Sequence, residues 1–177
     1  MILERSMHGD WLSNAYLVGD EPGGHGVIID SGGPSGPLLE KVAEHELTIS
    51  HLLLTHHHAD HVAENHVYKE RFDAEILAHP IEAERLLDVD RTIEPGASVL
   101  EVGKLKIGAL LTPGHTGGML NFVVNGTDVF TGDTLFKNSV GGVRAPGSTS
   151  FGDLKHSVME VLMGLDPATR LHPGHTD

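Results

Sequence analysis

Apolar residues fall in short bursts along this chain, and the spacing within the bursts changes from alternating to helical and back. Residues 2–6, 15–18 and 27–30 read as short strands, the first two joined through Asn14, with Asp20-Glu21-Pro22-Gly23-Gly24 as a turn. Leu38, Leu39, Val42, Ala43 and Leu47 then recur at helical spacing, and Ser35 and Pro37 suit the first turn of that helix. Leu52, Leu53 and Leu54 form a buried strand, and a helix is predicted over residues 60–72. Strands alternating with helices in this way predict a layered α/β fold.

The second half is richer in strands. Residues 74–78 are strand-like, and His79-Pro80 precedes a short helix running through Leu87. Residues 99–102 and 105–111 predict one hairpin, turning at Gly103-Lys104, and residues 119–124 and 128–130 a second, turning at Asn125-Gly126. A Gly-, Ser- and Pro-rich stretch over residues 137–150 is long enough to be a functional loop. Leu154, Val158, Val161, Leu162 and Leu165 mark a last amphipathic helix, with Ser150 and Asp153 suited to capping it. Arg170-Leu171 leads into His172-Pro173-Gly174-His175, two residues before the last one.

Length and composition narrow the function classes. The 177 residues predict one domain over 1–177, and 39% hydrophobic with 21% charged residues is ordinary for a globular protein. With no cysteine there is neither a disulfide framework nor a thiolate ligand, so any metal must be held by imidazole and carboxylate. That donor set suits zinc, iron or manganese. A net charge of −13 disfavours nucleic acid as a partner, because no basic face could neutralise its phosphates. No apolar run reaches the length of a membrane span, and Met1-Ile2-Leu3-Glu4-Arg5 has no secretory pattern, so the expectation is a cytoplasmic protein acting on a small molecule. Its oligomeric state does not follow from the sequence.

The candidate chemistry centres on Thr55-His56-His57-His58-Ala59-Asp60-His61, directly after the Leu52–Leu54 strand. Side chains alternate along an extended segment, so His56 and His58 share a side while His57 points away. The turn into a helix near Asp60 aims Asp60 and His61 at a second position nearby. Three later residues are placed to complete two half-sites. Pro113-Gly114-His115-Thr116 and Pro173-Gly174-His175-Thr176 each follow a strand-like run, and Pro-Gly breaks the strand so that one imidazole stands at the sheet edge. Asp133 follows a strand end and Gly132 in the same manner. Ligands thus gather at the carboxyl ends of strands, where open α/β sheets build their sites. A histidine-rich surface loop accounts for the first cluster alone, but not for three further residues in matching contexts. Of the remaining histidines, His79 and His172 stand beside strand ends and are expected to hydrogen-bond ligands from behind.

His56-x-His58-x-Asp60-His61, His115 after Pro-Gly, Asp133 within Thr-Gly-Asp-Thr and the late His175 resemble the metallo-β-lactamase superfamily, in order along nearly the whole chain. Within it, Thr-His-His-His-Ala-Asp-His, Pro-Gly-His-Thr and Gly-Asp-Thr-Leu-Phe look most like small glyoxalase-II-type hydrolases. The resemblance implies an αββα sandwich, two mixed β-sheets flanked by helices. It implies two divalent metal ions, zinc foremost with iron or manganese as substitutes. His56, His58 and His115 would bind the first, Asp60, His61 and His175 the second, and Asp133 both. A hydroxide bridging the metals would then cleave a thioester, ester or lactone, with Asp60 orienting the water or moving its proton.

Two departures from the family pattern bear on this expectation. Glyoxalase II proper carries a C-terminal helical region that helps hold glutathione, and the family's domain usually continues well past the last histidine ligand. The domain expected here therefore lacks its C-terminal end. Family members often place a basic residue after the bridging aspartate to meet an anionic substrate, and Arg144 is the candidate. The competing enzyme on the same fold is a persulfide dioxygenase, which would hold a single iron by His56, His115 and Asp133. Such proteins tend to carry Pro-Ala-His-Asp where this chain has Pro-Gly-His-Thr. A flavodiiron-type relative would need Glu where His58 stands, and a non-catalytic relative would be expected to have lost a ligand.

Overall fold

The computed structural model describes residues 1–177. In chain order the strands of the first half are β1 (Ile2–Met7), β2 (Asn14–Gly19) and β3 (His25–Ile29), followed by helix α1 (Ser35–Glu44) and strand β4 (Thr48–Leu53). Helices α2 (Ala59–Val62) and α3 (Asn65–Phe72) precede β5 (Glu75–Ala78), α4 (Pro80–Ala83) and the two-residue β6 (Arg91–Thr92). The second half comprises β7 (Gly96–Val102), β8 (Leu105–Leu111), β9 (Leu120–Val124) and β10 (Asp128–Gly132), then the small pair β11 (Leu135–Phe136) and β12 (Ser139–Val140). Helix α5 (Phe151–His156) runs on as a π-helical stretch, Ser157–Leu162, before β13 (Arg170–Pro173).

Two mixed sheets result, one of six strands in the order β1-β2-β3-β4-β5-β6 and one of five in the order β13-β10-β9-β8-β7. In the first, β3, β4, β5 and β6 run parallel; in the second only β13 and β10 do. Strand alternation explains how both faces of the first sheet are filled. Tyr16, Val18, Val27, Ile29, Leu53 and Leu77 point into the core between the sheets, where they meet Ile107, Ala109, Leu120, Phe122 and Phe130. Their neighbours Ala15, Leu17, Ile28, Leu52, Leu54 and Ile76 face outward and pack with Leu38 and Val42 of α1 and Tyr68 of α3. A sheet covered on both faces needs the near-continuous apolar runs seen in β2–β5.

The predicted elements are present with five differences. The helix expected over residues 60–72 is two helices, broken at Ala63-Glu64, because Glu64 turns back: its amide donates to the Ser31 carbonyl and its carboxylate accepts from the Ser35 amide. The helix after His79 ends at Ala83 rather than Leu87. The expected loop over residues 137–150 begins instead as the return strand of the β11–β12 hairpin, and β6 was not foreseen at all. The last helix winds in π geometry from Ser157, where the Ser157 hydroxyl donates to the Pro113 carbonyl. Asn125 and Gly126 both have positive φ, 52° and 72°, as the central residues of a type I′ turn require, and the Thr127 amide closes that turn on the Val124 carbonyl at 3.1 Å. Ser150 caps α5 by accepting from the Asp153 amide at 3.0 Å. No helix is long and apolar enough to cross a membrane.

Phe122 is wholly buried in the core between the sheets. Phe122→Ala is expected to lower the unfolding free energy by about 3–5 kcal/mol, read from the shift in urea midpoint at unchanged slope.

Candidate metal centre

All seven residues expected to ligate converge at one edge of the sandwich. His56 and His58 follow β4, Asp60 and His61 open α2, His115 sits in the turn after β8, Asp133 follows β10 and His175 follows β13. Ligand atoms of His56, His58 and His115 form one triad within 4.8 Å, and those of Asp60, His61 and His175 another. Asp133 reaches both. Its Oδ2 lies 3.4 Å from His115 Nε2 and 3.4 Å from His175 Nε2, and its Oδ1 lies 3.2 Å from His61 Nε2. Asp60 Oδ2 is 3.3 Å from His175 Nε2 and 3.9 Å from His61 Nε2.

The outward side of each ring decides which nitrogen faces inward. His58 donates from Nε2 to the Pro146 carbonyl at 2.9 Å, His115 from Nδ1 to the Gly142 carbonyl at 2.7 Å and His175 from Nδ1 to the Trp11 carbonyl at 2.9 Å. A carbonyl oxygen only accepts, so the proton of each ring sits on that outer nitrogen. His61 donates from Nδ1 to the Asp30 carboxylate at 2.9 Å. The Thr55 hydroxyl gives its own proton to Asp30 at 2.7 Å and therefore accepts from His56 Nδ1 at 3.0 Å. When neutral, the five imidazoles therefore each keep one unprotonated nitrogen for the interior of the site.

Those nitrogens need a cation. His58 Nδ1 and His115 Nε2 stand 2.9 Å apart, and His61 Nε2 and His175 Nε2 3.2 Å apart, so their lone pairs face each other. His56 Nε2 and Asp133 Oδ1 are buried without a hydrogen-bond partner. A tetrahedral ion with bonds of ~2.1 Å sets neighbouring ligand atoms roughly 3.4 Å apart. The separations here, from 2.9 to 3.9 Å, suit that spacing. The residues fit a pair of metal ions, each in a half-site of imidazole and carboxylate donors.

Protons compete for the same space. Burial disfavours the charged form of His175, but the Asp133 and Asp60 carboxylates outweigh it and push its pKa up to about 9. His61 is likewise held well above its usual value: burial opposes the charge, and Asp133 and Asp30 prevail. Burial lowers His56 and His115, which have less compensation. Asp133 is driven well below the usual range despite burial, by the surrounding imidazoles.

Local chain chemistry explains how the ligands are presented. Gly174 has no room for a side chain: a Cβ there would lie 2.4 Å from Asp133 Oδ1, so only glycine lets the last turn close on the aspartate. The chain on either side of Asp133 is held by Asn121, whose amide reaches Thr134 Oγ1 at 3.0 Å and the Thr131 carbonyl at 3.1 Å, and also Thr112 Oγ1 at 2.8 Å. His57 points away as expected and pairs with Glu82. His79 and His172 do not back the ligands. His79 Nδ1 accepts from the Ile81 amide to cap α4, and His172 bonds Asp128 and stacks on Phe130, because their strand ends face other polar neighbours. Arg144 is exposed on the loop between Gly142 and Pro146, the residues whose carbonyls hold His115 and His58.

Asp30 was missed. Sequence reading saw only a strand end before Ser31-Gly32-Gly33, yet its carboxylate ties Thr55, and through it His56, to His61 of the other half-site. The available signal was an acidic residue at the carboxyl end of a buried strand. Its left-handed backbone (φ 55°) is one that aspartate tolerates better than most residues.

The family model of the metallo-beta-lactamase superfamily matches residues 8–175, and the chain belongs to that superfamily. It is 35% identical to a hydroxyacylglutathione hydrolase of Mesorhizobium japonicum over 164 residues, which cover 90% of this chain and 60% of that protein. A probable polyketide biosynthesis zinc-dependent hydrolase, BaeB of Bacillus velezensis, is 27% identical over 97% of this chain and 76% of its own. Among solved structures, TTHA1623 in a di-iron-bound form superposes with a TM-score of 0.82 at 31% identity, covering 98% of this chain and 92% of that one.

Two measurements follow from the site. Asp133→Ala removes the group that reaches both triads, and metal content after dialysis is expected to fall from near two ions per chain to well below one, with the circular dichroism spectrum kept. In chelator-treated protein, the stability contributed by charged His175 is fully present below its unperturbed pKa of 6.5 and is lost as pH rises through about 9. Depressed His56 and His115 act with the opposite sign, below 6.5. The melting temperature is therefore expected to fall from pH 6.5 to 9. Zinc titrations in that range should release protons, as seen by calorimetry in buffers of different ionisation enthalpy.

Proposed function

We propose that this protein is a metal-dependent hydrolase that cleaves a thioester, ester or lactone, with an acyl thioester of the hydroxyacylglutathione kind as first candidate. The observation that carries the reading is the set of fixed tautomers: five rings are each anchored outward on oxygen, with their free nitrogens gathered around Asp60 and Asp133. His56, His58 and His115 hold one divalent ion, Asp60, His61 and His175 the other, and Asp133 both. Zinc heads the list of metals, and iron or manganese suits the same donors. The zinc-dependent and di-iron relatives fit that range.

Bound there, two cations supply a water that loses its proton near neutrality and positive charge for the developing oxyanion of the acyl group. The protein does the rest. Asp60 stands beside His175, partly exposed; in the metal-free protein the protonated His175 ring holds its carboxyl below the usual pKa, so it is ionised at neutral pH and can accept the proton of an attacking water. Asp30 keeps His61 and, through Thr55, His56 in the tautomers that leave their lone pairs inward. Arg144, on the loop that anchors His58 and His115, meets an anionic group of the substrate.

Purified protein is expected to release free thiol from lactoylglutathione without taking up oxygen, and to contain close to two metal ions per chain. One iron per chain, with oxygen consumed on glutathione persulfide, would instead assign a dioxygenase using His56, His115 and Asp133. Arg144→Ala is expected to raise KM for an anionic thioester several-fold while leaving kcat nearly unchanged.

A further inference from the structure

Glu82 is a carboxylate with no exposed surface, on α4, and it hydrogen-bonds to none of the seven ligands. Its neighbours are nonetheless the two chain segments that carry the first triad. Three N–H donors meet it, with the Thr116 hydroxyl beside them. The His57 amide donates to Oε2 at 3.0 Å, the His57 ring donates to the same oxygen from Nδ1, and the Gly118 amide donates to Oε1 at 2.8 Å. His57 lies between ligands His56 and His58, and Gly118 closes the turn that presents His115. A Cβ at Gly118 would lie 2.9 Å from Glu82 Oε1 and 2.6 Å from His79 Nδ1, so the turn and α4 are pressed together here. Burial opposes the charge, but these bonds keep Glu82 ionised.

We infer that Glu82 is the positioning residue of the first half-site, clamping the His56–His58 segment to the His115 turn through His57 and Gly118. This rests on the metal reading above. In the second half-site His61 is backed by Asp30, which also reaches His56 through Thr55, and His175 by the Trp11 carbonyl; Glu82 hydrogen-bonds to neither support. The clamp therefore acts on one half-site and spares the other.

Glu82→Gln tests this, since an amide offers one oxygen to three donors and turns an NH2 toward at least one of them. Zinc affinity is read by competition with a chromophoric chelator, and Co(II) spectra are compared with those of His115→Ala and His175→Ala. One site is expected to weaken about 10–100-fold. The cobalt spectrum of Glu82→Gln at one equivalent should match that of His115→Ala. Glu82→Asp, which keeps the charge, should recover part of the affinity. His57→Ala removes one of the three bonds and is expected to weaken the same site less.

Two wild-type affinities in Glu82→Gln, or equal weakening of both sites, overturn the inference. If Glu82→Gln does not fold, unchanged affinities in His57→Ala overturn it equally. Failure of the wild-type protein to bind any metal would instead remove the proposed function itself.

Discussion

Lone-pair repulsion among inward-facing imidazole nitrogens is the constraint around which this protein is built. Rings 2.9 to 3.2 Å apart at their unprotonated nitrogens are tolerable only with positive charge between them. Free rings would turn or take up protons. Here they are prevented from turning by carbonyls of Gly142, Pro146 and Trp11, by Asp30 and by the Thr55 hydroxyl, each fixed by the fold. The sandwich is therefore less a container for a site than a frame holding oxygens behind five rings.

That frame is uneven in strength, and the unevenness follows the topology. The parallel strands β3, β4 and β5 are buried on both faces, and from their ends come Asp30 and the His56–His61 segment. The second sheet supplies Asp133 and His115 over a buried polar layer of Asn121, Thr112 and Thr134. Buried polar groups are costly unless paired. Here the Asn121 amide N–H groups and both threonine hydroxyls are paired, leaving only Asn121 Oδ1 without a partner, so the layer ties the turns after β8 and β10 together.

Much of the centre was legible in the chain because its ligands obey local rules. A period of two puts His56 beside His58, a strand-to-helix change redirects Asp60 and His61, and Pro-Gly or Gly at a strand end presents His115, His175 and Asp133. What was not legible is what stands behind the ligands. Asp30 read as no more than a strand end, Glu82 carried no signal within its short predicted helix, and the supporting carbonyls of Trp11, Gly142 and Pro146 carry no residue-type signal at all. Such partners are set by three-dimensional proximity, and the same limit misplaced His79 and His172. Element boundaries failed for a related reason: Ala63-Glu64 breaks a helix through contacts with Ser31 and Ser35, which periodicity cannot register.

The bond between His175 and Trp11 has a bearing on biogenesis. It joins positions 164 residues apart, and the neighbouring Ser13–His175 bridge and Asn14 contacts stitch the same two regions. During synthesis the first sheet can assemble as soon as its strands emerge, but the second triad does not exist until residue 175 has left the ribosome. A cation arriving early would meet only the first triad and Asp133. An ion held by the second triad would therefore bind only after residue 175 has emerged, later than one held by the first.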